Sequence, residues 1–490
     1  MVGGEAVTVE VRKNLIAGEW VAGEDSAPNV NPSDLGDVIG HYAQAGADQV
    51  ELAVGSAQAA QPEWGASALE ARQEALDRIG RELIARADEL GTLLSREEGK
   101  PLAEGKGEVR RAGQFFTYYA AETLRQIGEN ADSVRPGIEI DVRREPMGVV
   151  AVISPWNFPA ATACWKIAPA LAFGNAVVWK PASLTPASAW AIAEIVSRAG
   201  LPAGAFQLLM GSGREVGDRL AGHPGVDAIT FTGSCEVGRR IAVAAAPRLA
   251  KVQLEMGSKN ALLVMDDADF DSALAAAVAG GYSGTGQKCT ASSRLLVHEK
   301  LHDRFVEALA EQVAALKVGN ALDEGTQVGP VVSAEQLESN LGWMESAKRA
   351  GADVIVGGEL LSLDPPGHYM SPALLADTTN DMEINREEMF APIVAVQRIS
   401  SYEEGLAVAN DTDYGLVAGI FTRSLARATH FRRNVRTGCV AVNLPTAGTD
   451  YHVPFGGRKL SSHGPREQGR AAVEFYTQVK TAYVRAGDPS

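Results

Sequence analysis

The spacing of hydrophobic residues changes character along the chain. Between residues 50 and 124 apolar side chains recur at helical spacing, as at Ala75, Ile79, Leu83 and Ala87, which predicts helices with one buried face. From 148 to 297, short apolar runs rich in Val and Ile alternate with helical stretches. Strands are expected at 148–154, 176–179, 206–209, 228–231 and 251–255. Helices are expected at 163–173, at 186–199, near Val216 and at 236–246. A second alternating set follows over 262–443, with helices at 270–282, 301–316 and 334–350. This order predicts an α/β fold with two parallel-sheet lobes. Ligands in such sheets lie beyond the carboxyl ends of the strands. Two strand-prone segments, 127–145 and 473–484, fit neither lobe and are expected to pair between subunits, because exposed edges need cover.

Composition narrows the function. The 490 residues are 46% apolar, enough for a large core, and carry a net charge of −16. A phosphate backbone would be repelled, so nucleic acid is not an expected partner. Apolar runs such as 273–279 are too short to span a bilayer, and the first residues lack a signal-peptide core. No membrane partner and a cytoplasmic location are therefore expected. The four cysteines, Cys164, Cys235, Cys289 and Cys439, include no C-x-x-C pair, so reduced thiols and no metal site are expected.

Five motifs carry candidate chemistry. A lone cysteine is more often a buried hydrophobe than a nucleophile, but Gly286-Gln287-Lys288-Cys289-Thr290 surrounds one with polar and cationic neighbours that suit a reactive thiolate. Pro155-Trp156-Asn157-Phe158-Pro159 reads plainly as a turn after a strand; its prolines could also fix the Asn157 amide as a donor to an oxyanion. Glu255, in Leu254-Glu255-Met256-Gly257, ends an apolar strand. Such a carboxylate is commonly salt-bridged, and when partly buried it is a competent general base. Phe231-Thr232-Gly233-Ser234 leads from strand to helix, where backbone amides can receive phosphate, although plain turns share that pattern. Lys180-Pro181-Ala182-Ser183 stands at another strand end, where a lysine is usually a surface cap.

In this order, and with Glu387-Glu388-Met389-Phe390-Ala391-Pro392 and Pro454-Phe455-Gly456-Gly457, the motifs resemble the aldehyde dehydrogenase superfamily from about Asn14 to Val484. The resemblance implies residues 1–126 and 147–256 as a Rossmann-like cofactor domain and 257–456 as a catalytic domain. Segments 127–146 and 470–486 would form an oligomerisation element of a homodimer or homotetramer. It implies that Cys289 attacks the aldehyde, that the Asn157 amide and the Cys289 N–H form the oxyanion hole, and that oxidation by a nicotinamide cofactor leaves a thioester. Each such donor contributes about 2.7–4 kcal/mol. Glu255 would activate the hydrolytic water.

Lys180 and Ser183 would contact the adenosine ribose, Gly233 and Ser234 the pyrophosphate, and Glu388 the nicotinamide ribose beside Phe390. Trp156, Ala182 and Met256 would complete the cofactor side, and Phe158, Trp165 and Phe455 the substrate walls. Ser258 and Ala391 depart from the glycines usual at those positions. Ser183 replaces the acidic residue common in NAD-preferring members, so NADP is expected to be preferred, with NAD also used.

Segments 286–294, 443–459 and 464–469 most resemble the members that oxidise α-ketoglutaric semialdehyde (2,5-dioxopentanoate). Members that oxidise succinic semialdehyde tend to carry an arginine where Trp165 stands. Lys288, Arg294 and Arg458 are the candidate cations for a substrate carboxylate. The competing readings are a succinic or other semialdehyde oxidase, an acylating or reductive member, and a non-catalytic binding protein on the same fold. The presence of Glu255 weighs against the acylating reading, and the complete Cys289, Glu255 and Asn157 set against the non-catalytic one.

Overall fold

A computed structural model describes residues 10–125 and 128–487. Five parallel strands form the centre of an eight-stranded sheet, in the order Lys251–Glu255, Ala228–Thr232, Val149–Ile153, Ala176–Lys180 and Phe206–Leu208. Val149–Ile153 and Ala176–Lys180 are buried at every residue. That explains their unbroken apolar sequence, since a parallel strand covered on both faces has no polar side. Order along the sheet reverses between Val149–Ile153 and Ala228–Thr232, which opens a crevice at their carboxyl ends.

A second sheet of seven strands has the order Asp353–Val356, Ala373–Ala376, Ile393–Ile399, Arg294–His298, Ala261–Val264, Val417–Phe421 and Cys439–Val442. All its pairings are parallel except that of the edge strand Asp353–Val356. Both expected sheets are thus present, and the expected helices fall within a few residues of Ala161–Ala172, Pro186–Ser197, Cys235–Ala245, Phe270–Tyr282, Glu299–Ala314 and Ala334–Arg349. The segment near Val216 is a π-turn, Gly213–Gly217, running into the short helix Asp218–Gly222.

The region 50–124 forms four helices, Ala47–Ala66, Leu69–Ala85, Ala87–Glu98 and Leu102–Thr123. Leu76, Ile79 and Leu83 of the second pack with Phe115, Phe116 and Tyr119 of the fourth in one core. The fourth helix also lies against Ala161–Ala172, which places its inner face beside the crevice.

Two features go beyond the sequence reading. The chain before residue 45 is built of short strands. Asn14–Ile16 joins the first sheet antiparallel to Phe206–Leu208, and Ser462–His463 closes its other edge against Lys251–Glu255. The two strand-prone segments pair with each other inside one chain. Thr477–Val484 runs antiparallel to Glu139–Pro146, which pairs with Glu129–Asp132. Residue 127 of that expected element lies outside the described residues. The outer edge strand remains exposed, with Val479, Tyr483 and Val484 facing solvent.

Candidate active site

A cavity of about 520 Å³ opens at the carboxyl ends of the first sheet, where the reversal of strand order predicts it. Among the residues that line it are Trp156, Asn157, Gly233, Ser234, Glu255, Met256, Cys289, Glu388 and Phe390, together with Phe158, Trp165 and Phe455. Twelve of the fifteen residues given a catalytic, cofactor or substrate-wall role by the sequence reading therefore meet in one space. The other three, Lys180, Ala182 and Ser183, lie off its wall: Lys180 is buried, whereas Ser183 is exposed and donates from Oγ to the Gly211 carbonyl at 3.0 Å.

The Cys289 turn is fixed from below. Thr285 and Gly286 both hold left-handed φ, 56° and 66°, and a Cβ on Gly286 would lie 2.2 Å from the Ala391 carbonyl oxygen, so only glycine fits there. Asn260 Nδ2 donates to the carbonyls of Cys289 at 2.7 Å and Ala291 at 2.9 Å. Thr446 Oγ1 donates to that of Thr290 at 2.7 Å. The half-buried Cys289 packs with Leu416, Val417, Phe455 and Trp165.

Asn157 is 6% exposed and held at two points. Its Nδ2 donates to the Gln287 carbonyl at 2.9 Å, which uses one of its two amide hydrogens and leaves the other free. Its own carbonyl accepts from Lys100 Nζ at 2.6 Å. Lys100 is itself buried, sits 4.0 Å from the Phe158 ring centroid, and pairs with Glu108. Glu108 in turn accepts from the backbone N–H groups of Ala160 and Ala161 at 3.0 and 3.1 Å. Sequence reading missed this brace. Replacing Lys100 with methionine is expected to lower kcat about 10- to 100-fold, because small displacements of a positioned donor are costly. Steady-state kinetics check this, with an unchanged cofactor KM separating misplacement from collapse of the site.

Negative charge is unwelcome in the cavity. Burial, then Glu388 and Glu255, push the Cys289 thiol up to about 12. Burial raises Glu388 to about 7, against the Ser258 N–H at 2.8 Å and the nearby Lys259. Glu255 is lifted well above the usual carboxylate range by burial and by Glu467, opposed by the Ser462 hydroxyl, Lys166 and Arg466. All three groups are thus biased toward their neutral forms, so an anion formed here must be met by donors.

Chemically the cavity can take a long cofactor beside a small substrate. Gly257 has no Cβ, and one would come within 2.3 Å of Glu388 Oε2, so the carboxylate can lie over the backbone. Ser234 caps the helix Cys235–Ala245 by accepting from the Val237 N–H at 3.4 Å, which aims that helix's N-terminal amides beyond the strand end. The two departures are accommodated: Ser258 Oγ donates to Asn260 Oδ1, and the Ala391 carbonyl fits against Gly286. Among the described residues, no group of three or more His, Cys, Asp or Glu side chains is arranged to hold a metal ion, and no helix is long and apolar enough to cross a membrane.

The carboxylate candidates separate clearly. Arg294 is fully buried away from the cavity and donates to Asn380 Oδ1 and to the carbonyls of Val408 and Ala409. Arg458 is exposed and does not line it. Lys288 lines it, but its amine donates to Ser283 Oγ and the Ala279 carbonyl. A different cation, Arg111, reaches the wall.

Comparison with known proteins agrees with this geometry. Residues 20–482 match the model of the aldehyde dehydrogenase family. The chain is 41% identical to an α-ketoglutaric semialdehyde dehydrogenase of Bacillus subtilis, covering 96% of this chain and 98% of that one. It is 40% identical to an α-ketoglutarate semialdehyde dehydrogenase of Haloferax volcanii over the same shares. Betaine aldehyde dehydrogenase of Staphylococcus aureus in complex with NAD+ superposes with a TM-score of 0.95 at 33% identity, over 99% of this chain and 96% of the other. The chain belongs to the aldehyde dehydrogenase family.

Proposed function

We propose that this enzyme oxidises 2,5-dioxopentanoate to 2-oxoglutarate, with NADP+ preferred over NAD+. Family membership makes it an NAD(P)-dependent aldehyde dehydrogenase. The observation that carries the catalytic reading is the convergence of Cys289, the Asn157 amide and Glu255 on one cavity. Cys289 attacks the aldehyde carbon, and its thiol proton passes to solvent water as the C–S bond forms. The free Asn157 amide hydrogen and the Cys289 backbone N–H receive the oxygen that becomes negative. A bound nicotinamide dinucleotide supplies the two-electron acceptor. Glu255 then takes a proton from water, and the hydroxide displaces the Cys289 sulfur from the thioester.

Glu388 and Phe390 are assigned to the nicotinamide ribose, Gly233 and Ser234 to the pyrophosphate, and Lys180 with Ser183 to the adenosine end; Trp156, Ala182 and Met256 complete that side. The NADP+ preference is supported by chemistry at this end. Ser183 carries no charge to repel a 2′-phosphate. Among the described residues Lys180 forms no ion pair, and burial alone lowers its pKa to about 8. The adjoining turn Gly213–Gly217 adds the exposed Arg214.

Substrate choice is supported by the relatives that act on this semialdehyde and by the aromatic walls of Phe158, Trp165 and Phe455. Succinic semialdehyde is the runner-up. Exposed Val479, Tyr483 and Val484 favour a homodimer or homotetramer. Assays against 2,5-dioxopentanoate, succinic semialdehyde and pentanal with each cofactor test it. The highest kcat/KM is expected for 2,5-dioxopentanoate with NADP+. Fastest turnover of pentanal would overturn the substrate, and a strong NAD+ preference the cofactor.

A further inference from the structure

The helix Leu102–Thr123 presents Glu104, Glu108, Arg111 and Phe115 to the cavity. Their 4-3-4 spacing puts all four on one face. Glu104 accepts the Gly284 N–H at 3.1 Å, and Glu108 is committed to Lys100 and to the Ala160 and Ala161 amides. Arg111 has no such commitment. Among the described residues it forms no ion pair and no hydrogen bond, and its guanidinium lies 5.4 Å from the Tyr451 ring centroid. The cavity's other cation, Lys288, has its amine bonded to Ser283 and to a carbonyl.

Position distinguishes Arg111 further. Tyr451 stacks edge-on to Phe115 at 6.4 Å, Phe115 to Trp165 at 5.8 Å, and Trp165 meets Phe455 at 5.7 Å. Trp165 and Phe455 pack with Cys289. An aromatic wall therefore runs from the nucleophile to the guanidinium. Tyr451 and the wall residue Thr449 belong to segment 443–459, one of those in which the chain most resembles semialdehyde-oxidising members.

We propose that Arg111 receives the distal carboxylate of an ω-oxo acid whose aldehyde lies at Cys289, and so sets the preference for charged over neutral aldehydes. The inference rests on the semialdehyde reading above. A guanidinium presents paired N–H groups that match a carboxylate, and in a half-buried wall it is weakly hydrated and open to such a partner. The aromatic wall would pack the intervening carbons and shed their water.

The test measures kcat/KM for 2,5-dioxopentanoate and for pentanal in wild type, Arg111→Met, Arg111→Gln and Arg111→Lys. The ratio of the two is expected to fall about 10- to 150-fold in the methionine and glutamine variants, the range for losing a charge-assisted hydrogen bond. Lysine, which keeps the charge and loses the fork, should fall between. A wild-type preference for 2,5-dioxopentanoate that survives in both neutral variants overturns the role of Arg111 and leaves the substrate reading standing. Equal losses with both aldehydes assign Arg111 to the fold, and also overturn it. No wild-type preference for the charged aldehyde sinks the substrate reading first, and this inference with it.

Discussion

Replacing Cys289 with alanine is expected to lower kcat by on the order of 10⁶, the loss that follows removal of a covalent nucleophile. No other thiol among the described residues can take over. Cys164 is buried in the core beside Ile167 and Ala168, where burial raises its pKa. The sulfurs of Cys235 and Cys439 face the carbonyls of Leu460 and Gly456. Only Cys289 lines the cavity. Its proton is firmly held, because burial and the carboxyl groups of Glu388, Glu255 and Glu467 oppose the thiolate. The sign is therefore that reactivity grows as pH rises: alkylation of the wild-type enzyme by iodoacetamide without cofactor should quicken about tenfold per unit from pH 7 to 9, with no plateau. The alanine protein should lose aldehyde oxidation while still binding cofactor, as measured by fluorescence titration. Oxidation at even a hundredth of the wild-type rate would mean that no sulfur adduct is required.

The route from sequence to site was legible where local and global demands coincide. Apolar runs such as Val149–Ile153 are strands because both faces are covered, and the motifs that follow them sit where parallel strands must end. Short elements lacked that signal. Asn14–Ile16 is too brief for a period, and its place is decided by Phe206–Leu208, far along the chain. The inner face of Leu102–Thr123 was hidden for another reason. Glu104, Glu108 and Arg111 look like a solvated stripe, because burial is tolerated here by pairing and by the cavity rather than by apolar character. Lys100 was overlooked on the same ground. Charged residues recurring at the spacing of a buried helix face were the available clue. Ser183 and Lys180 show the converse, since a recognised motif placed them near the cofactor while the main cavity excludes both.

The second large effect is expected at Glu255. Its Oε2 accepts from the Ser462 hydroxyl, and its Oε1 lies where a Cβ on Gly456 would come within 2.6 Å, so the carboxyl group has a fixed orientation in a confined space. Glutamine fits that space and cannot take a proton. Glu255→Gln should therefore cut steady-state turnover by about 10²- to 10⁴-fold, the usual reach of general-base catalysis. Attack by Cys289 and the oxidation that follows do not need Glu255, so a first turnover of reduced cofactor should persist as a burst, near one equivalent per active chain, before the thioester stalls. The pH profile gives an independent reading. Burial and the Glu467 carboxylate, itself paired with Lys166, raise the Glu255 pKa, so the group is neutral at low pH and becomes a base only as pH rises. The wild-type kcat should climb with pH along an acidic limb, and the variant should lack that limb because nothing remains there to ionise. Burst and limb fail together only if water attacks without help. A variant with wild-type turnover and an unaltered profile would place the water-activating group elsewhere in the cavity, with Glu388 the remaining acid whose pKa, at about 7, suits the task.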